Sequence, residues 1–235
     1  MHNNSIEIIP AVMPQSWADI ETHAADVSSY VEHIQLDIMD GKFVKEKTWP
    51  YKNDEGELNR VIAEEFGLPE WEKVNYEIDL MVSTPDKDAL TWIKAGATRV
   101  ILHIESSTTI LETIKKIRSE YGTKETMALA PEIGVAIDVA TPLKELDVYI
   151  PHVDFVQHMG IAHIGYQGEP FAEETLSRVK TLKEKYPNLI ISIDGAVNDV
   201  SAPKLIAAGA TRLVSGSYLL KAPDLKEAIE TLQGV

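Results

Sequence analysis

Short apolar runs recur along the whole chain, and each is followed by a turn and an amphipathic stretch. The runs are rich in isoleucine, valine and leucine and alternate only weakly with polar residues. This pattern is typical of parallel strands that are covered by helices. The spacing predicts eight strands, at 6–13, 33–40, 76–82, 99–105, 132–138, 155–161, 189–195 and 212–217.

Helical patterns lie between these strands, for example at 16–31, 107–121 and 170–186. Eight β/α alternations favour either a closed barrel or a doubly wound open sheet. The segment Ala-Gly-Ala-Thr-Arg occurs twice, around Gly96 and Gly209, where a predicted helix passes into a strand. Glycine suits the left-handed position that ends a helix. The repeat favours identical β/α units, so we predict one (β/α)8 barrel domain over 1–235.

One segment interrupts the regular spacing. Residues 42–61, after the second predicted strand, contain Pro, Gly and Asn and have no strand pattern. Because the βα loops of a barrel lie on its active-site face, this long loop is either a lid or an ordinary surface insertion.

Composition narrows the classes of function. The chain has 235 residues, close to the roughly 250 typical of one such barrel, and it has no cysteine. Thiolate metal sites and cysteine nucleophiles are therefore excluded. The net charge of −15 argues against nucleic-acid or anionic-membrane partners, but backbone N–H groups can still hold a small phosphate. With no basic leader and no apolar run near roughly 20 residues, we expect a cytoplasmic protein.

Polar residues cluster where the predicted strands end, which is where barrels of this kind place their reacting groups. Most of these residues are acidic, and almost no lysine or arginine lies inside the strands. They are Asp37, Asp40, Asp79, His103, Glu105, Asp138, His158 and Asp194, and the apolar Met159 follows His158 at the end of the sixth strand.

Two of these carboxylates are the best candidates for acid–base chemistry. Asp37 lies inside an apolar strand, and Asp40-Gly41 after it makes the turn, so Asp37 is not needed for capping. Asp194 follows the apolar run 189–193. The second and seventh strands lie across a barrel mouth from each other. Two facing carboxylates suit removal of a proton beside a carbonyl and its return to the opposite face.

Glycines in the last third of the chain indicate a phosphate site. Loops after the seventh and eighth strands of this fold recurrently form a phosphate cradle. Glycines lie in or beside these loops, together with a serine. They predict a phosphorylated substrate. The residues are Gly165, Gly168, Gly195, Gly216 and Ser217.

Segments along nearly the whole chain resemble the ribulose-phosphate 3-epimerase family. The segment 33–44 is similar to its signature, an aspartate within a strand followed by Met-Asp-Gly and Phe-Val. Similar segments follow in order, at 76–86, 102–106, 156–171, 191–198 and 213–219. The resemblance implies a C3 epimerase of the pentose phosphate pathway that assembles from several copies.

The resemblance also implies roles for single residues. Asp37 and Asp194 are the acid–base pair in this reading. Methionines form a floor that keeps water from an enediolate, and backbone groups of the last loops bind phosphate. The methionines are Met39, Met81 and Met159, and the phosphate contacts are Gly168, Gly195, Ala196, Gly216 and Ser217.

The chain departs from the family where a divalent metal is usually bound. The two ligand positions that are usually histidine are Gln35 and Asp79. Pro14 replaces a serine, Ala196 replaces a glycine, and the sixth loop is one residue longer. What remains is an all-oxygen set, Asp37 and Asp194 with Gln35 and Asp79 as further candidates. Such a set suits Mg²⁺, Mn²⁺ or Ca²⁺ rather than Zn²⁺.

A metal-free site is the alternative to this cation. It would raise the pKa of at least one carboxylate. Lys42 or Lys45 from the long loop would then compensate for the missing positive charge.

Three hypotheses therefore stand. The first is an epimerase of a ketose phosphate, with ribulose 5-phosphate as the leading substrate. The second is a related sugar-phosphate lyase or isomerase, although the Asp-x-Lys-x-x-Asp pattern of such relatives is absent because position 39 is methionine. The third is a non-catalytic sugar-phosphate sensor, which the changed metal positions favour and the retained aspartates oppose.

Overall fold

A closed barrel of eight parallel strands, in the order β1 to β8, forms the centre of the molecule. A computed structural model describes residues 6–166 and 168–234. The predicted (β/α)8 class is confirmed, and each predicted strand is present, with ends that differ from the prediction by at most two residues. The strands are β1 Glu7–Val12, β2 His33–Met39, β3 Asn75–Met81, β4 Arg99–His103, β5 Glu132–Ile137, β6 Phe155–Met159, β7 Ile190–Asp194 and β8 Arg212–Ser215.

Helices follow most of the strands and surround the barrel. The α-helices are α1 Trp17–Val27, α2 Glu57–Ile62, α3 Pro85–Lys94, α4 Ile110–Tyr121, α5 Glu174–Lys185, α6 Ala202–Ala208, α7 Ser217–Leu220 and α8 Leu225–Gln233. Between β5 and β6 the connection consists of two short 3₁₀ helices, Leu143–Val148 and Ile150–His152. Pro142 precedes the first of these helices and Pro151 lies within the second, and proline lacks the N–H that a longer α-helix needs.

The strand alternation separates a structural face from a chemical face. On β2, Ile34, Leu36 and Ile38 are fully buried in the large core between the sheet and the helices. Because successive side chains point to opposite faces, Gln35 and Asp37 face the inside of the barrel. The register aligns Asp37 with Asp79 on β3, so polar groups from neighbouring strands lie at one level.

Ion pairs close the end of the barrel that lies opposite Asp37 and Asp79. Arg99 contacts Glu7, Glu77 and Glu132, at N···O distances of 2.9, 3.4 and 3.1 Å. Arg212 contacts Glu7 and Glu132 at 3.0 and 2.8 Å. These arginines hold the pKa of Glu7 and Glu132 at about 2, although burial alone would raise both values. The network neutralises charge at the end of the barrel away from the catalytic candidates.

The long segment 42–61 is anchored at its centre. The backbone N–H of Trp49 donates to the Pro14 carbonyl at 2.8 Å, and the Trp49 side chain is fully buried. The Thr48 hydroxyl donates to the Asp37 carbonyl at 2.7 Å and accepts from the Met39 N–H at 2.9 Å. This anchor ties the loop to the strand that carries Asp37, whereas its role as a lid stays a prediction.

Among the described residues, none of the helices is long and apolar enough to cross a membrane.

Candidate active site

Three carboxylates converge at the mouth of the barrel. Asp37, Asp79 and Asp194 each place one oxygen so that the three atoms lie within 4.8 Å of one another. They come from β2, β3 and β7, which the barrel closure brings together. Asp79 is fully buried, whereas Asp37 and Asp194 keep a small exposed surface that lines a cavity. The structure therefore brings together the predicted acid–base pair and one predicted metal ligand.

Gln35 links the two candidate acid–base groups. Its side-chain Nε2 donates to Asp37 Oδ1 and to Asp194 Oδ2, both at 2.8 Å. Gln157 on β6 donates a longer bond of 3.4 Å to the same Asp194 oxygen. The amide nitrogen of Gln35 thus lies between the two carboxylates, where a positive charge would also be favourable.

Asp79 has a cationic partner of its own. His103 Nε2 lies 3.0 Å from Asp79 Oδ1, and both side chains are fully buried. Burial alone would lower the pKa of His103, but the Asp79 carboxylate and two further acids raise it to about 9. The ring is accordingly protonated near neutrality and offsets one of the three negative charges.

Burial and mutual repulsion favour the protonated forms of the acid–base pair. Burial raises the pKa of Asp194 to about 7, and the nearby Asp79 charge adds to this effect. Burial likewise raises the pKa of Asp37 well above its ordinary value, with further contributions from Asp194 and Asp79. Hydrogen bonds from Gln35 act in the opposite direction on both groups. Burial and the neighbouring charges therefore both favour a protonated carboxyl within this pair.

Methionines lie beside the carboxylates at the mouth of the barrel. Met39 and Met81 pack with Val44 of the long loop, and Phe43 lies against the same cluster. Met159 packs in a separate cluster inside the barrel. Met81 and Met159 line the cavity, while Met39 is fully buried. These soft, apolar side chains limit the access of water to the carboxylates.

A cavity of about 380 Å³ opens beside Asp37 and Asp194. Every predicted phosphate contact lies on its wall, in the loops after β6, β7 and β8. Sequence reasoning missed further wall residues, among them Met13, Tyr166 and Asn198, because no motif marked them. The predicted wall residues are Gly165, Gly168, Gly195, Ala196, Gly216 and Ser217.

Two backbone positions fix the shape of this wall. Ala196 adopts a left-handed conformation with φ of 55°, which suits the glycine that it replaces. At Gly160 an added Cβ would lie 2.2 Å from the Gly195 carbonyl oxygen. The Gly160 N–H donates to the Asp194 carbonyl at 2.6 Å, so this close approach sets the position of the end of β7 that carries Asp194.

Some residues at the predicted strand ends have other positions or roles. His158 does not face the mouth: its Nε2 accepts from Arg178 Nε of α5 at 2.7 Å, because strand alternation turns it towards the helices. Asp40 makes the predicted turn, accepting from the N–H groups of Lys42 and Phe43. Glu105 and Asp138 lie beside His103 rather than at Asp37.

The two lysines proposed as compensating cations are both exposed. Within residues 6–166 and 168–234, neither Lys42 nor Lys45 forms an ion pair. The cation that does contact a carboxylate of the site is His103. Its partnership with Asp79 was not foreseen, because the two residues lie on different strands.

Comparison with known proteins agrees with this geometry. A model of the ribulose-phosphate 3-epimerase family matches residues 7–220. The chain is 27% identical over 230 residues to ribulose-phosphate 3-epimerase from Eremothecium gossypii, covering 96% of this chain and 91% of the relative. It is 28% identical over 235 residues to the Bacillus subtilis enzyme of the same name, covering 97% and 99%.

A solved structure shares the fold. The 3-keto-L-gulonate-6-phosphate decarboxylase of Vibrio cholerae superimposes with a TM-score of 0.66 at 15% identity, covering 97% of this chain and 95% of that one.

Proposed function

The chain belongs to the ribulose-phosphate 3-epimerase family, and we propose that it inverts C3 of a ketose phosphate, interconverting ribulose 5-phosphate and xylulose 5-phosphate. The observation that carries this proposal is the pairing of Asp37 and Asp194 at one cavity, joined through the Gln35 amide. A non-catalytic sensor would have no need to keep two buried carboxylates with raised pKa values.

The two carboxylates divide the proton transfers. The ionised member of the pair takes the proton from C3, and the electron pair of the C–H bond moves into the C2 carbonyl to give an enediolate. The protonated member then delivers its proton to C3 from the opposite face, and the C2 carbonyl re-forms. Each carboxyl ends the turnover in the state that the other had at its start, so the reverse reaction uses the same pair.

The electrostatics of the site match this division. Proton transfer is most efficient when the catalytic pKa lies near the working pH, and burial raises the pKa of Asp194 to about 7. Gln35 donates to the ionised form of either carboxylate and so limits the cost of burying it. His103 supplies a positive charge beside Asp79. The enediolate therefore forms next to a partly neutralised set of acids.

The substrate phosphate would lie against the loops after β6, β7 and β8. These loops supply Gly168, Gly195, Ala196, Gly216 and Ser217 to the cavity wall. Small residues leave the backbone N–H groups accessible to phosphate oxygens. Neither Lys nor Arg lines this cavity among the described residues, so backbone groups and the Ser217 hydroxyl would make the contacts.

The buried acids also fit a divalent cation. Asp37, Asp79 and Asp194 lie within ligand distance of one another, and Asp79 Oδ2 is a buried oxygen with no hydrogen-bond partner. Gln35 Oε1 is a second buried oxygen of this kind. We propose that the three carboxylates hold Mg²⁺ or Mn²⁺, since they offer oxygen ligands alone. Gln35 Oε1 would join them when the amide turns and releases its two hydrogen bonds. Such an ion would neutralise negative charge that develops on the substrate oxygens.

Deuterium exchange tests the reaction. Purified protein is incubated with ribulose 5-phosphate in deuterated water, with Mg²⁺ or Mn²⁺ and with a chelator. We expect deuterium at C3 and formation of xylulose 5-phosphate. Asp37→Asn and Asp194→Asn should each abolish both signals while leaving the circular dichroism spectrum unchanged. Exchange that persists in both variants would exclude the two-carboxylate mechanism.

A further inference from the structure

A second group of side chains lies behind Asp79, on the far side of His103. A ring nitrogen of His103 and one carboxylate oxygen from each of Glu105 and Asp138 lie within 4.8 Å of one another. These residues come from β4, the turn after it, and the residue that follows β5. This group shares no residue with the three carboxylates at the barrel mouth.

One polar atom of each member of this group is buried without a partner. His103 Nδ1, Glu105 Oε2 and Asp138 Oδ1 each have no hydrogen-bond partner among the described residues. The His103 ring is fully buried, and its other nitrogen, Nε2, is already paired with Asp79. Buried polar atoms are almost always hydrogen-bonded, so three that are not, at one place, indicate an absent partner.

The arrangement has the pattern of a metal-ligating histidine. Such a histidine commonly binds the ion through one ring nitrogen and donates its other N–H to a carboxylate. Here Asp79 is that carboxylate, and a bound ion would take the place of the proton on Nδ1. The second Glu105 oxygen accepts from the Asp138 N–H at 2.9 Å, which fixes the two acids relative to each other.

Nearby charges allow an ion at this place. The Arg178 guanidinium lies nearby and donates to His158 and to the backbone carbonyls of Asp138 and Thr141. The Phe43 ring lies 5.6 Å from the His103 ring and covers one side of it. Within residues 6–166 and 168–234, neither the Glu105 nor the Asp138 carboxylate forms an ion pair with a lysine or an arginine.

We propose that His103, Glu105 and Asp138 form a second divalent-cation site, which takes a transition-metal ion. One imidazole nitrogen with two carboxylates suits ions such as Mn²⁺ and Zn²⁺, whereas Mg²⁺ prefers the all-oxygen set at the barrel mouth. The bound ion fixes His103 with its proton on Nε2, and that proton holds Asp79 in place. The site thus positions an acid of the active centre from behind.

Manganese binding in the presence of excess magnesium tests this site. Chelator-treated full-length protein is titrated with Mn²⁺ by electron paramagnetic resonance, with Mg²⁺ in large excess to occupy the oxygen ligands. We expect one Mn²⁺ to remain bound per chain. Glu105→Gln and Asp138→Asn should each weaken that binding by at least about tenfold. Glu145→Gln removes a nearby exposed acid outside the group and should leave binding unchanged.

Two further measurements keep the outcome decisive. Asp37→Asn should abolish epimerisation and retain the Mn²⁺ bound under excess Mg²⁺, so failure of the catalytic proposal and failure of this one are distinguishable. Crystals of the unaltered protein soaked in Mn²⁺ should show an anomalous peak beside His103 Nδ1, which needs no folded variant. The proposed site is wrong if the crystals show no anomalous peak there. It is also wrong if excess Mg²⁺ removes the Mn²⁺, or if neither Glu105→Gln nor Asp138→Asn weakens Mn²⁺ binding.

Discussion

Gln35 on β2 donates a 2.8 Å hydrogen bond to Asp194 on β7, across the mouth of the barrel. The two residues are 159 positions apart in the sequence. The same nitrogen also donates to Asp37, at 2.8 Å, so one amide sets the separation of the two candidate acid–base groups. Their placement therefore depends on a side chain that carries no charge and takes no part in proton transfer.

Replacing Gln35 with leucine should impair catalysis through this lost positioning. Without the amide, Asp37 and Asp194 repel each other with no shared donor between them. We expect kcat to fall on the order of 10- to 100-fold, since small misplacements of catalytic groups have costs of this size. Steady-state kinetics with ribulose 5-phosphate measures this fall in kcat. Gln233→Leu, on α8, is the matched control and should leave kcat unchanged.

The raised pKa of Asp194 predicts a pH-dependent stability difference. Its pKa is about 7 in the folded protein and near the ordinary value of 3.8 in the unfolded chain. The folded state therefore binds this proton more tightly. The resulting stability is fully present below the unfolded value and is lost as pH rises to about 7. Asp194→Asn should consequently gain stability relative to the unaltered protein between pH 5 and pH 8.

Urea unfolding at both pH values measures this difference. Taking the variant minus the unaltered protein cancels the opposite contributions of Glu7 and Glu132, whose pKa values of about 2 stabilise the fold above their ordinary range. Asp199→Asn, near the surface, controls for the loss of one negative charge. A difference that is the same at pH 5 and pH 8 would show that Asp194 titrates normally.

The barrel and the acid–base pair follow from local sequence features, whereas the partners of those acids do not. Apolar runs at regular spacing predict the strands, and parallel topology places their ends together. Side chains alternate between the two faces of a strand, so His158 on β6 faces away from the mouth although it lies near the end of its strand. The Gln35 bridge and the Asp79–His103 pair depend on the register between strands, which no short motif specifies.

Arg99 should be necessary for stability and dispensable for catalysis. It pairs with fully buried Glu77 at the end of the barrel opposite the carboxylates, and burial already raises the pKa of Glu77 to about 7. Arg99→Met leaves that acid without this partner, so we expect a loss of about 3–5 kcal/mol in the free energy of unfolding. Chemical denaturation measures it, and kcat of the folded variant should be unchanged.

The exposed pair Arg60–Glu65 supplies the matched control. Both side chains are more than half exposed, at 56% and 53%, so Arg60→Met should cost about 0–1 kcal/mol. Equal losses in the two variants would show that the buried network contributes no more than a surface ion pair.

Gly160 should be sensitive to a single added methyl group. A Cβ there would lie 2.2 Å from the Gly195 carbonyl oxygen, which is backbone and cannot move aside without shifting β7. Because Asp194 precedes Gly195, Gly160→Ala should lower both kcat and the free energy of unfolding, the latter by about 1–3 kcal/mol. Gly67→Ala is the control: its Cβ would meet the Trp71 side chain at 2.4 Å, but that side chain is 62% exposed and free to rotate. If Gly160→Ala keeps its activity and stability while Gly67→Ala loses stability, the close approach of β6 and β7 does not position Asp194.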